Sequence, residues 1–274
     1  GIDTRDDTYE GSRSDCIMIA SINQEKNEAT LYSIYRDTYV QMTLDGTTKF
    51  DKINHAYYNG VQNTIKTINE NLDLNISEYV TVDFNAVSDL VDSVGGIDIN
   101  IDNEEIQYIN NYIKDVTKVT GKTADKITKT GVNHLNGVQA VSYSRIRYTA
   151  GGDYKRTERM RIVVEAMLSK AKTLGIGQLN SFANTILPRI KTNISTGEII
   201  GLLPSVASMK ISESIGWPYV TKGITTDRWY GVPVTLQSNV EKLHKEAFGQ
   251  DDYEASDAVK EMNAAIIKKT GYSN

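Results

Sequence analysis

Cysteine is almost missing from this chain of 274 residues; Cys16 is its single example. One thiol excludes an intrachain disulfide and a thiolate metal cluster. Its setting, the apolar run DCIMIAS, predicts a buried and unreactive side chain. Histidine is scarce too. His55, His134 and His244 lie far apart and in no metal-ligand spacing, and His55, in KINHAY, is expected to cap or pack the helix that follows. No run of about 18 apolar residues occurs, so no segment reads as a bilayer-spanning helix. Nucleophile elbow, P-loop and dinucleotide fingerprint are all absent from a workable context. NIS at 75–77 and 193–195 matches the glycosylation acceptor pattern, which is short enough to arise by chance. Positive charge is not in excess either, since 30 Lys and Arg against 35 Asp and Glu leave a net −5. That balance argues against a general nucleic-acid binder, which carries a basic domain or stripe.

What is present describes a globular protein, with 39% hydrophobic and 24% charged residues. A chain of this length can bury a core without a disulfide or structural metal. It opens at GIDTRDD without an initiator Met, as a processed or partial chain would.

Strand-like and helix-like segments alternate. CIMIASI (16–22) and ATLYSIY (29–35) read as strands joined by the polar turn NQEKNE. Tyr57, Val61, Ile65, Ile68 and Leu72 recur at the spacing of one helix face. EYVTVDF (78–84) reads as a strand, 85–94 as a helix ended by Gly95-Gly96, and IDINI (97–101) as a strand. Residues 114–130 are polar, rich in lysine and without a clear period, so they are expected on the surface. LNGVQAVSYSR (135–145) reads as a helix. The clearest helix is near 156–174, with Met160, Val163, Met167, Ala171 and Leu174 as its buried stripe. Further helices are expected at 178–187, 195–208, 238–248 and 256–268, with Ser195 and Glu198 as a capping box and a break or kink at Pro204. RWYGVPVTL (228–236) is a late strand. No repeat, low-complexity segment or linker stands out, so the expectation is one mixed α/β domain over 1–274, a central mixed sheet flanked by helices.

Five of the ten arginines fall between 145 and 161, in YSRIRYTAGGDYKRTERMR. Arg145 and Arg147 are two apart and point the same way on extended backbone. Arg156 and Arg159 are three apart and share a helix face. A helix N-terminus beside them adds partial positive charge, and Gly151-Gly152 gives the loop freedom to fold one pair over the other. Guanidinium groups so placed suit a phosphate or pyrophosphate, which they grip bidentately. The same residues could instead form a solvated face, with Arg147 and Arg161 pairing with Asp153 and Glu158. A second cluster includes Asp3 in GIDTRDD, Asp15 in RSD, and Arg36-Asp37 after the second strand. Mg²⁺ on a phosphorylated ligand needs only one or two protein carboxylates, and Asp3 and Asp15 could be that pair if a loop joins them. Otherwise they are solvated. With no nucleophile in evidence, arginines and carboxylates fit phosphoryl transfer by positioning, metal and charge neutralisation.

In order along the chain, these segments resemble the LytR-CpsA-Psr family of cell-wall phosphotransferases. GIDTR is similar to the family's G-x-D-x-R, RSDCIMIASI to its R-S-D and apolar strand, and SIYRDTYV to S-I-P-R-D-x-x-V. KINHAY resembles K-I-N-x-A-Y, while YVTVDF and LVDSVGGIDINI resemble V-D-F and D-x-x-G-G-V-x-V. LNGVQAVSYSRIR is similar to L-x-G-x-Q-A-L-x-Y-x-R-x-R, and GGDYKRTERMR to G-D-x-x-R-x-x-R. The matches run from Gly1 to about Leu168; residues 175–274 carry no assigned motif. Tyr35 replaces the usual proline before Arg36, and Arg159-Met160 replaces the usual Arg-Gln.

The resemblance implies an α/β domain with an apolar channel for a polyprenyl chain. It implies transfer of a phosphorylated glycopolymer (teichoic acid, capsule or similar) from a polyprenyl-pyrophosphate carrier to a peptidoglycan sugar hydroxyl, forming a phosphodiester. By motif position, Asp3 and Asp15 correspond to carboxylates that hold Mg²⁺, for which Mn²⁺ could substitute. Arg36, Arg145, Arg147, Arg156 and Arg159 correspond to the arginines around the pyrophosphate. Asp37 and Asp153 are candidates for a general base or for groups that orient a neighbouring arginine. Tyr57, Val61, Ile65, Val163 and Met167 are either plain core or lining of the lipid channel. The implied setting is the extracellular face of the cytoplasmic membrane in a Gram-positive-type envelope. The enzyme would be a monomer tethered by an N-terminal helix outside this sequence and would bind no nucleic acid. The alternative is a non-catalytic regulator that binds polyprenyl phosphates; the metal-type aspartates and all five arginines favour the enzyme.

Overall fold

The alternating segments fold as a mixed α/β chain. The computed structural model describes residues 1–2, 12–211 and 214–273, so Asp3 lies outside the described residues. Its first part runs β1 (Ile17–Asn23), β2 (Glu28–Ile34), β3 (Tyr39–Leu44), β4 (Thr47–Lys52), α1 (Gly60–Leu72), β5 (Val80–Thr81), α2 (Phe84–Ser93), β6 (Ile97–Ile101) and α3 (Asn103–Thr120). Next come β7 (Gly131–Leu135), α4 (Gly137–Ser144), α5 (Gly152–Ala171), α6 (Ile176–Ile186), β8 (Lys191–Thr192) and α7 (Thr196–Ser208). The chain closes with β9 (Lys210–Ile211), β10 (Ile215–Trp217), β11 (Thr221–Thr225), β12 (Trp229–Pro233), α8 (Leu236–Phe248) and α9 (Asp257–Thr270). Among the described residues, no helix is long and apolar enough to cross a membrane.

Two compact units divide these elements. The first contains Ile22–Leu31 and Glu78–Ser214. β6 follows the period of two, with Ile97, Ile99 and Ile101 buried while Asp98 and Asn100 face out; it pairs antiparallel with β7. α3 adds Ile109, Ile113 and Val116 to the same core. α4 is buried along its whole length. Its Gly137 is required by close approach, because a Cβ there would lie 2.2 Å from the Ser88 carbonyl oxygen of α2. That contact gives the glycine of LNGVQA a packing reason.

The second unit contains Tyr32–Ser77 and Ile215–Asn274. Tyr32, Ser33 and Ile34 of β2 pair in parallel with β10. β3 and β4 form a hairpin turned by Asp45 and Gly46, both at positive φ, the arrangement that favours Asp-Gly. Val40, Met42 and Leu44 alternate into a core shared with Ile53, Leu72 and Trp217. Asn71 ties α1 to β3 by accepting from the Gln41 N–H and donating to its carbonyl.

Several expectations change. The segment 103–120, whose last seven residues read as part of a polar excursion, is an 18-residue helix started by a capping box of Asp102 and Glu105. Its buried Ile109, Ile113 and Val116 lie at helical spacing, but asparagine, tyrosine and lysine around them hide the stripe. Position 204 does not break α7, which runs on to Ser208. Cys16 is half-buried rather than buried. His55 is buried, with Nδ1 2.9 Å from Asp51 Oδ2.

Candidate active site

In the second unit, the end of β2 delivers Arg36 and Asp37, and the end of β4 delivers Lys52. The Arg36 guanidinium donates through Nη1 to Asp15 Oδ1, and its Nε lies 3.7 Å from Asp37 Oδ2. Lys52 Nζ is 2.8 Å from Asp37 Oδ1. These side chains are only 11–17% exposed, a setting in which ion pairs are screened less than at the surface. Asp37 therefore sits between two cations, as an orienting group would. Lys52 belongs to KINHAY, and its part here was not anticipated.

In the first unit, the segment between α4 and α5 carries Arg145, Arg147 and Tyr148. Arg145 lies with its guanidinium carbon 4.8 Å from the Phe84 ring centre and 5.2 Å from that of Tyr112. Among the described residues it makes no ion pair; two aromatic faces hold it. Arg147 Nε is 3.8 Å from Asp153 Oδ1, and Arg156 Nε is 3.4 Å from the same oxygen. Asp153 thus spans Arg147 and Arg156. Burial pushes the Tyr112 phenol above its usual range, and Tyr148 adds to the rise, while Arg147, Arg145 and Arg156 oppose it. The three arginines and two tyrosines therefore share one electrostatic neighbourhood.

α5 begins at Gly152, a turn earlier than expected, with Gly151 and Gly152 at positive φ. Its first turn holds Asp153, so Arg156 and Arg159 lie beyond the free N–H groups once expected beside them. Arg159 departs further from expectation. It is 5% exposed, with Nε 2.7 Å from Glu105 Oε1, Nη1 3.3 Å from the Ile146 carbonyl and Nη2 2.8 Å from Thr149 Oγ1. Each of its three nitrogens has a partner within the protein. These bonds brace the segment either side of Arg147. Glu105 also accepts from the Asp102 N–H through Oε2, so the capping box of α3 secures the brace. Glu158 pairs with Lys155 at 2.8 Å, not with Arg161.

The apolar stripes separate. Val163 is a member of the first unit's core, with Met167 half-buried against it. Tyr57 is buried while Val61 and Ile65 are half-buried, and none of the three belongs to the second unit's core cluster; α1 turns Ile68 and Leu72 to that core instead.

A divalent cation finds a hard oxygen donor in Asp15, while Asp3 lies outside the described residues. Among the described residues, no group of three or more His, Cys, Asp or Glu could hold a metal. The donor set therefore fits Mg²⁺ only in the form that takes one or two carboxylates and completes its shell with phosphate and water.

Comparison with known proteins adds to this geometry. The model described as the LytR_cpsA_psr family matches residues 1–246. Polyisoprenyl-teichoic acid–peptidoglycan teichoic acid transferase TagT of Bacillus subtilis is 32% identical over 233 residues, 82% of this chain and 68% of that protein. TagU of Enterococcus faecalis, named for the same activity, is 34% identical over 199 residues, 71% of this chain and 60% of that protein. Among solved structures, YwtF (TagT) with bound octaprenyl pyrophosphate lipid superposes with a TM-score of 0.64 at 28% identity. The match covers 87% of this chain and 85% of that one. The chain belongs to the LytR-CpsA-Psr family.

Proposed function

We propose that this chain transfers a phosphorylated glycopolymer, a teichoic acid or a related polymer, from a polyprenyl-pyrophosphate carrier to a sugar hydroxyl of peptidoglycan. The observation that carries this reading is Arg145, a guanidinium held by two ring faces with no ion pair among the described residues. A cation held this way keeps its full charge for an anionic ligand. The relatives named as teichoic acid transferases and the one with a bound lipid pyrophosphate support the choice of anion.

In this reaction the acceptor oxygen forms a new P–O bond and gives up its proton to solvent, while the bridging P–O bond breaks and the polyprenyl phosphate leaves with its electron pair. Arg145, Arg147 and Arg156 neutralise charge on the phosphoryl groups. Arg159 acts as a positioning residue, through its bonds to Ile146 and Thr149. Asp15, with Asp3, would hold Mg²⁺ or Mn²⁺, which when bound supplies charge neutralisation at the pyrophosphate oxygens. The ion pairs of Asp37 and Asp153 support orienting roles for both. Tyr57, Val61 and Ile65 are the stripe we assign to the lipid chain. The reading places the work at the outer face of the cytoplasmic membrane in a Gram-positive-type envelope.

Transfer from a lipid pyrophosphate donor to peptidoglycan fragments tests the reading. Asp15→Ala and Arg36→Ala should each lower turnover by about 100-fold or more, and chelation of divalent cations should stop the wild-type reaction. Unchanged turnover in both variants would sink the mechanism. Tight lipid binding by the wild type without any transfer would favour a regulator instead.

A further inference from the structure

Tyr148 is 70% exposed, yet it is not a loose side chain. Its ring lies against that of Tyr108, with centroids 6.1 Å apart and planes at 32°. The segment on both sides is held by Arg159, through the Ile146 carbonyl and the Thr149 side-chain hydroxyl. Tyr108 and Tyr112 are four apart on α3 and so share a face, and Tyr112 is one of the two rings that hold Arg145. The Tyr112 phenol in turn feels both Tyr148 and Arg147. An aromatic strip thus leads from Arg145 outward to an exposed ring one residue from Arg147. A single exposed aromatic needs no explanation, but a supported one beside phosphate-type arginines does.

We propose that Tyr148, seated on Tyr108 beside Arg145 and Arg147, is the stacking platform for a pyranose ring carried on the phosphate that those arginines hold. A ring face with arginines at one edge offers apolar contact to the C–H face of a sugar and charge to its phosphate. An isoprenoid chain would use only the first of these, and a bare phosphate only the second. The proposal rests on the transferase reading above and adds which residue senses the sugar of the donor.

The test compares two probes by equilibrium binding: a short polyprenyl pyrophosphate, and the same lipid bearing one N-acetylhexosamine on its pyrophosphate. The wild type should bind the sugar-bearing probe about five- to tenfold more tightly, the scale of one aromatic contact. Tyr148→Ala should erase that difference while leaving the bare lipid's affinity as it was. Tyr148→Phe, which keeps the ring and loses the hydroxyl, should retain the preference, and its exposed position leaves the fold intact in both variants. Equal weakening of both probes by Tyr148→Ala would overturn the proposal, since Tyr148 would then serve the lipid or the phosphate. An undiminished preference would overturn it as well. Failure of the wild type to bind either probe would instead overturn the transferase reading, and this inference with it.

Discussion

The two units hold Arg36 and Arg145 by opposite means. In the second, Arg36 and Lys52 are answered by the carboxylates of Asp15 and Asp37. In the first, Arg145 is held by the faces of Phe84 and Tyr112. A carboxylate fixes a guanidinium by neutralising it. A ring fixes it through its quadrupole, which carries no net charge. Arg145 therefore presents its charge, whereas that of Arg36 is balanced. The first unit also buries an ion pair, that of Arg159 and Glu105, whose side chains are 6% and 8% exposed.

That division predicts where stability is most easily lost. Glu105→Ala leaves Arg159 buried without its carboxylate and removes half of the α3 capping box. The expected loss is about 3–5 kcal/mol, read by denaturant unfolding. Lys52→Ala breaks a somewhat more exposed pair of the second unit and leaves Arg36 beside Asp37, so it should cost less, about 2 kcal/mol. Equal costs would mean that the brace carries no special load.

Sequence made one side of this contrast legible and hid the other. RSD and SIYRD brought Asp15 and Arg36 forward by motif, and the structure joins them directly. The Asp45-Gly46 turn of the β3–β4 hairpin also left a readable signal that was passed over. Phe84 and Tyr112 could not be tied to Arg145, because cation–ring contacts have no spacing rule across 33 to 61 residues. The same limit misplaced Arg159. Its three-residue offset from Arg156 is local and visible, but its partner Glu105 lies 54 residues away. Local periodicity gives a helix face; it does not give what that face meets.

Conservative substitution should separate the two ways of holding a cation. Arg145→Lys replaces a flat, weakly hydrated guanidinium by a compact ammonium that stacks poorly on rings. Transfer should fall on the order of 100-fold in kcat/KM, or about 2.7 kcal/mol. Arg36→Lys keeps a cation for Asp15 and Asp37 and should lose only about tenfold, about 1.4 kcal/mol. Steady-state kinetics on one donor decides between them. Losses of equal size would remove the distinction between ring-held and carboxylate-held charge.

Acid supplies the smallest and last separation, and it acts on the second unit. Asp73 ends α1 and reaches the start of α9. Burial pushes its carboxyl up, but this is outweighed by donation from the Ser256 hydroxyl, the Tyr253 hydroxyl and the Ser256 N–H, so its pKa lies below the ordinary 3.8. Asp51 is likewise lowered, with burial outweighed chiefly by His55 and the Lys52 N–H. A carboxyl depressed on folding contributes in full above 3.8 and loses that contribution as pH falls through its folded value. Asp73 is partly exposed, so solvent screening reduces its weight to about 1 kcal/mol. Asp73→Asn should therefore lower stability by about that amount near neutral pH. It should also lose less than the parent protein as pH falls below 3.8. Thermal unfolding across that range reads the difference. Parallel losses in variant and parent would assign the acid response to other carboxyls and take its pH signature from the α1–α9 junction.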